Sequence, residues 1–368
     1  MALLWLPVLL LLVVLSPGLA QAEEPAPPAA RIGLAGTRPV IIATLQPRSA
    51  RKIDPFDKNF DVTKVEPLMR ENLENIYGLL EEAGRQGADI ALAPEDIQGI
   101  ASYGLYVKTP NPTTGENLYL SLIQTIPGPI TQRLADIAKK HHMNIVAGMY
   151  QKAVEGEATR YHNVAVVINR EGELLGIYRK THLPSFEKWT LTRGTTYPVF
   201  QLDCARVGVA ICYDVTFEEC PRILALSGAD VILHPTLGKF QLERGLADAV
   251  IYRARAMDNS VHLVTSEYGH DGSGIIDPEG KVVAERNGEE NVVVLGTVDL
   301  AKDRSDPSEW WRNINGTDNV RALRALERHP ETYGRLSDPH PPLLERYRAV
   351  KLVTEPEEID RAYEAIKY

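Results

Sequence analysis

Three polar residues of types that do chemistry stand where apolar runs end. Glu95 follows Ala91-Leu92-Ala93-Pro94, Lys180 follows Leu174–Arg179, and Cys212 closes the run that begins at Val207. In open α/β sheets, ligand sites are built at strand ends. Singly, each has a bland reading: a capping or surface glutamate, a solvated lysine, a core cysteine. Together they complete one reaction scheme. A thiol attacks a carbonyl or nitrile carbon only as thiolate, so it needs a base or a cation beside it. A carboxylate can take the thiol proton and return it to a departing amine. An ammonium can lower the thiol pKa and hold a tetrahedral oxyanion. Glu95, Lys180 and Cys212 are then base, electrophilic donor and nucleophile. The scheme needs no metal, no cofactor and no histidine. Cys204, Cys212 and Cys220 recur every eight residues, which matches no standard zinc spacing.

The elements that must position these residues are set out by periodicity. Val40–Thr44 reads as a buried strand. Val65, Leu68, Met69, Ile76, Leu79, Leu80 and Ala83 recur at helical spacing, with Gly87 ending the pattern. Ile90–Ala93 is the next strand, and the strand–helix–strand order indicates an α/β sheet. Gln98–Thr125 is a long irregular stretch, and such loops are often functional. Pro129 opens a helix to about His141, followed by strand Ile145–Tyr150. Further strands are expected at Asn163–Ile168, Leu174–Tyr178, Val199–Leu202, Val207–Cys212, Val231–His234, Val261–Ser266, Gly274–Ile276, Val282–Ala284 and Val292–Val298. Ile223–Leu226 and Leu246–Met257 are expected helices. Asn169–Gly172 and Asp277–Gly280 carry turn chemistry.

Composition is that of an ordinary globular protein: 368 residues, 44% hydrophobic and 24% charged. A net charge of −9 argues against nucleic acid or an anionic lipid surface as the main partner. Three cysteines are too few for a disulfide-built scaffold. Leu3–Leu15 is apolar but shorter than a membrane span, and Pro17, Gly18, Ala20 and Ala22 come after it. Residues 1–22 therefore read as a signal peptide, although the basic n-region is lacking, and the expected location is secreted or periplasmic. Residues 23–37 read as a linker, 38–300 as one domain, and 301–368 as a polar tail packing on the domain or on a partner subunit. Asn315-Gly316-Thr317 is a glycosylation sequon, meaningful only in a eukaryotic secretory pathway.

The chain resembles the carbon–nitrogen hydrolase (nitrilase) superfamily from about Arg38 to Asp299. The glutamate motif is Ala93-Pro94-Glu95-Asp96, and the lysine motif is Tyr178-Arg179-Lys180-Thr181-His182-Leu183-Pro184. The cysteine motif runs from Val209 to Glu219, with Cys212 lying 32 residues beyond Lys180. Gly228–Leu233 and Ser273–Gly280 are similar to recurring family segments. The resemblance implies a four-layer α-β-β-α sandwich. It also implies a second glutamate shortly after the lysine, which Glu187 fits, and an oxyanion donor in the backbone N–H of Tyr213. His234 and Thr236, which end the next strand, are expected to line the pocket. A homodimer or larger homo-oligomer is implied as well.

The activity implied by the resemblance is hydrolysis of non-peptide carbon–nitrogen bonds. Cys-Tyr-Asp after the strand is closer to amidases and carbamoyl-amide hydrolases than to true nitrilases, which usually read Cys-Trp-Glu. A linear amide or N-carbamoyl compound is the expected substrate. A nitrile, or acyl transfer to an amine from the same thioester, is the alternative. A departure from the family lies just past the cysteine, where many members read aromatic–Pro–Glu and this chain reads Phe217-Glu218-Glu219. Two other classes are a non-catalytic binding protein on this fold, which would be marked by loss of Glu, Lys or Cys, and a disulfide-linked structural protein, which would need Cys212 paired.

Overall fold

Strand alternation sets the layering. In a computed structural model, residues 39–50, 61–100, 113–184, 187–238, 245–300, 308–350, 352, 358 and 361 are described. The expected signal peptide, the linker and residues 101–112 of the long loop lie outside the described residues. One six-stranded sheet holds β1 (Val40–Gln46), β2 (Ile90–Leu92), β3 (Asn144–Glu155), β4 (Ala158–Ile168), β5 (Leu174–Arg179) and β12 (Val292–Val298), in the order β12-β1-β2-β3-β4-β5. The other holds β6 (Val199–Gln201), β7 (Arg206–Val209), β8 (Val231–Pro235), β9 (His262–Ser266), β10 (Gly274–Ile276) and β11 (Val282–Glu285), in the order β11-β10-β9-β8-β7-β6. β1, β2 and β3 run parallel, as do β7, β8 and β9.

Side chains of period two send one set of residues between the sheets and the other outward. Ile42, Leu92, Val146 and Val167 of the first sheet meet Val209, Leu233, Val264 and Ile275 of the second. On the outer face of the first sheet, Leu45, Ala91 and Ile145 pack on α1 (Val65–Arg85) and α3 (Pro129–His141), with α2 (Leu118–Leu122) beside them. On the outer face of the second, Ile232 packs on α5 (Glu219–Leu226), while Leu263 and Ile276 pack on α6 (Val250–Asn259). The expected α-β-β-α sandwich is thus the fold of this chain. Three buried hydroxyls cross it: Thr44 Oγ1 donates to Thr265 O at 2.6 Å, Ser266 Oγ to Leu45 O at 2.7 Å, and Ser273 Oγ to Leu45 O at 3.0 Å.

The turns at Asn169–Gly172 and Asp277–Gly280 form as expected, each closed by a side-chain oxygen that accepts backbone N–H bonds. Differences lie at element ends. β3 and β4 extend as a long hairpin to Glu155 and Ala158, because their exposed polar ends carry no apolar alternation. The expected strand Val207–Cys212 stops at Val209, and a 3-10 turn, Cys212–Thr216, begins at the cysteine itself. A short α4 (Glu187–Thr190) comes after the lysine segment. The tail forms α7 (Glu309–Asn315), α8 (Val320–Leu326) and α9 (Leu343–Arg346). It is held to the domain where Arg321 donates to Ala229 O at 2.8 Å and Arg324 to Met257 O at 2.8 Å. Among the described residues, no helix is long and apolar enough to cross a membrane.

Candidate active site

Glu95 is placed by a tight turn beyond β2. Asp96 has φ 54°, Ile97 N donates to Gly148 O at 2.9 Å, and Gly148 N donates to Pro94 O at 3.1 Å. β3 approaches so closely that a Cβ on Gly148 would lie 2.5 Å from Glu95 Cα, so only glycine fits there. Lys180 continues from β5, with its own N–H on Asn163 O at 2.9 Å. Glu187 enters at the start of α4.

These three side chains form one buried cluster. Lys180 Nζ donates to Glu95 Oε1 at 2.9 Å and lies 3.1 and 3.0 Å from Oε1 and Oε2 of Glu187. Asn163 Nδ2 donates to Glu95 Oε1 at 2.7 Å and to Glu187 Oε1 at 3.3 Å. Glu95 Oε2 accepts from Leu237 N at 3.0 Å, beyond the end of β8, so the glutamate is held by both sheets. Burial pulls the Lys180 ammonium down, but Glu95 and Glu187 outweigh it and hold the lysine well above its ordinary value. Burial pushes Glu187 up to about 7, with Lys180 opposing and Glu95 adding to the rise.

The Glu187 shift sets a pH dependence. The folded protein keeps a proton on Glu187 that the unfolded chain releases near 4.5. This contribution to stability is complete below about 4.5 and is lost as pH rises through about 7. Thermal melts between pH 5 and pH 8 should therefore show Glu187→Gln losing less stability with rising pH than the parent. Parallel curves would remove Glu187 as the group responsible.

Cys212 opens its 3-10 turn with φ 47°, a left-handed conformation uncommon for a residue with a Cβ. The residue is only 8% exposed. Burial pushes its thiol up to about 12, and Glu95 adds to this, while Lys180 and a hydrogen bond with Thr236 act downward. The expected lowering by the ammonium is thus present but outweighed, by burial first and by Glu95 second. At neutral pH Cys212 is a thiol and must lose its proton during attack. The first intraturn bond is Asp214 N to Ile211 O at 3.0 Å. The N–H of Tyr213 lies ahead of it, among the donors that a turn start leaves without an internal acceptor.

Asp214 joins the lysine segment to the nucleophile turn. Its Oδ2 accepts from Ile211 N at 3.0 Å and Tyr178 OH at 2.7 Å. Its Oδ1 accepts from Thr181 Oγ1 at 3.0 Å, His182 N at 3.0 Å and His182 Nδ1 at 2.9 Å. Replacing Asp214 by alanine strands several buried donors at ~1–3 kcal/mol each. The expected outcome is a melting temperature lowered by well over 5 °C and turnover reduced ~10²-fold through misplacement. Calorimetric melts and kcat check this, and an unchanged kcat would break the link between Asp214 and the nucleophile.

His234 is fully buried, its Nδ1 on Ala210 O at 2.7 Å and its ring edge-on to Tyr252. Burial holds the imidazole neutral, at about 4. Thr236 lies buried against the nucleophile, its hydroxyl accepting from Gly238 N at 3.2 Å. Asn163, Asp214 and the Leu237 N–H are contributors that sequence reasoning passes over. The signal for Asn163 is a polar side chain directly before the apolar run Val164–Ile168 of β4. All three cysteines are free and buried, which leaves the disulfide-linked reading without support. Among the described residues, no group of histidine, cysteine or carboxylate side chains has the arrangement of a metal site.

The sequence model of the family described as "Carbon-nitrogen hydrolase" matches residues 43–307. The Bos taurus protein named omega-amidase NIT2 is 31% identical over 260 residues, covering 65% of this chain and 87% of its own length. Its Xenopus tropicalis counterpart is 30% identical over 257 residues, covering 64% and 86%. Among solved structures, a carbon-nitrogen hydrolase of Helicobacter pylori G27 superposes with a TM-score of 0.59 at 20% identity, covering 81% of this chain and 98% of that one. An amidase of Nesterenkonia sp. AN1, with the acetamide moiety of fluoroacetamide added covalently at its active-site cysteine, superposes with a TM-score of 0.55 at 21% identity, covering 76% and 99%.

Proposed function

The chain belongs to the carbon–nitrogen hydrolase family, and from that premise we propose that it hydrolyses a linear amide or N-carbamoyl compound through a thioester on Cys212. The observation that carries the reading is the buried Glu95–Lys180–Glu187 cluster within electrostatic reach of a thiol presented at positive φ. As the Cys212 Sγ–C bond forms, the thiol proton passes to Glu95, and the carbonyl oxygen becomes an oxyanion held by Lys180 and the Tyr213 N–H. The C–N bond then breaks, and Glu95 returns the proton to the departing ammonia or amine. Water, its proton taken by Glu95 and its position set by Glu187, attacks the thioester and releases the acid with the free thiol. The relatives named omega-amidases support the amide reading.

Ammonia release from aliphatic amides, N-carbamoyl amino acids and nitriles, with mass mapping of the Cys212 peptide, tests this reading. An acyl adduct on Cys212 with ammonia in solution is expected. Absence of both, on every substrate, would defeat the proposal. Best turnover of a nitrile would move the assignment to nitrilase. The export reading rests on residues 1–22, and N-terminal sequencing of the mature protein starting near Glu23 would support it.

A further inference from the structure

We propose that a cavity of about 460 Å³ at the edge of the first sheet binds a doubly charged tetrahedral oxyanion, of the phosphate or sulfate class, on Arg160, His162, Arg179 and Arg193. The cavity lies where β4 runs on past the end of the edge strand β5, since Arg179 closes β5 opposite Val164. Its third wall is the segment after α4, tied to both strands: Thr192 N donates to Tyr161 O at 2.7 Å and Gly194 N to Lys180 O at 2.8 Å. The site is separate from the catalytic cluster. Alternation along the strands turns His162 and Arg179 to one face of the sheet and their neighbours Asn163 and Lys180 to the other.

The charge of the cavity is one-sided. Among the described residues that line it, three are arginines and one is a carboxylate, Glu155. Glu155 Oε1 accepts from Arg179 at 2.8 Å, and its Oε2 lies 3.1 Å from Arg160 Nε. Arg193 is exposed and has neither an ion pair nor a hydrogen bond among the described residues. A net positive charge is therefore concentrated here in a chain whose own net charge is −9.

The second observation is a buried imidazole with one idle nitrogen. His162 is 1% exposed, and its Nδ1 lies 2.7 Å from Thr192 O, so Nδ1 carries the hydrogen. Its Nε2 has no hydrogen-bond partner and stands 3.7 Å from Glu155 Oε1, beyond hydrogen-bond reach. Buried polar atoms are nearly always partnered, so an idle one on a cavity wall points to a ligand. Burial first, then Arg179, hold the ring below its ordinary value. An anion beside Nε2 would reverse this, drawing on a proton that Nε2 then donates. Guanidinium forks match the oxygens of a phosphate or sulfate, and a dianion balances the surplus that a single carboxylate leaves. The volume falls in the ~300–1,000 Å³ range of small-molecule sites, so the oxyanion has room to carry an organic group. Glu155, half-exposed near the hairpin tip, is the internal competitor that an incoming anion must share with or displace.

Calorimetric titration with sodium sulfate, against sodium chloride at equal ionic strength, tests the site. Saturable binding with a Kd of ~1 mM or tighter is expected. Arg193→Met and Arg179→Met should each weaken it about tenfold. Arg193 makes no contact whose loss would threaten the fold. Glu155→Gln removes the competitor and should tighten binding. Sulfate does not titrate between pH 6 and pH 8, and of the groups facing His162 (Glu155, Arg160, Arg179 and Arg193) none changes charge there. Sulfate affinity should therefore rise as pH falls through this range, and His162→Gln should abolish the rise. Inorganic phosphate beside phenyl phosphate separates the sources. Tighter binding of the ester names a phosphate carried by a small molecule, and tighter binding of the inorganic ion names the free ion. No saturable binding of any of the three, or Kd values unchanged in both arginine variants, overturns the proposal.

Discussion

Cys212→Ala is expected to stop turnover, with ammonia release falling by ~10⁴-fold or more, as when the nucleophile is taken from other covalent hydrolases. No other described thiol can substitute. Cys204 and Cys220 are buried elsewhere, and burial raises both. The fold should survive, because one sulfur is lost from a packed site, at about 1 kcal/mol. Alanine keeps the Cβ and hence the conformational strain at φ 47°. Cys212→Gly relieves it, so the glycine variant should melt above the alanine variant while being equally inactive. Activity assays beside thermal melts separate these effects. Residual turnover near the parental rate in Cys212→Ala would end the thioester mechanism.

Lys180→Met is expected to be severe in two ways. Loss of the oxyanion donor should lower kcat ~10²–10³-fold. It also leaves Glu95 and Glu187 facing each other, both buried, without their shared cation. Breaking a buried ion pair from one side costs about 3–5 kcal/mol. The sign with pH is set by the carboxylates. Without the ammonium, the folded-state affinity of Glu187 for a proton, already raised, rises further. The variant should recover stability as pH falls and a proton enters the pair. Denaturant midpoints at pH 5 and pH 8 test this, and a loss independent of pH would mean that the two carboxylates do not share the lysine.

Glu95, Lys180 and Cys212 are legible in the sequence because each stands where an apolar run gives way to a polar residue, whereas Glu187, at the start of α4, is legible only through the family resemblance. The glue between them is not. Asn163 sits in β4 where the polar stretch Thr159–His162 meets the apolar run Val164–Ile168, and its partners lie on β2's turn and on α4, brought together only by the sheet. Asp214 can be read as part of a motif, but its partners at Tyr178, Thr181 and His182 lie more than 30 residues upstream. The thiol shift has the opposite sign to the sequence expectation because burial outweighs the lysine, and spacing shows a lysine near a cysteine but not how deeply the fold buries the thiol. The placement of β1 between β12 and β2 is non-local pairing, which no periodicity encodes. Local turn chemistry, by contrast, is legible at Asn169–Gly172, since Asn169 closes its own turn.

Base and nucleophile belong to different sheets: Glu95 extends from the first, Cys212 from the second. Apolar packing between the sheets resists separation but tolerates sliding, since burial of hydrocarbon has no preferred direction. The hydroxyls of Thr44, Ser266 and Ser273 are directional, each reaching a carbonyl of the other sheet's side. They act as dowels between two plates. The alignment of a catalytic pair is thereby delegated to residues that never meet substrate, and the interior of this sandwich serves as a gauge for its active site as well as a core.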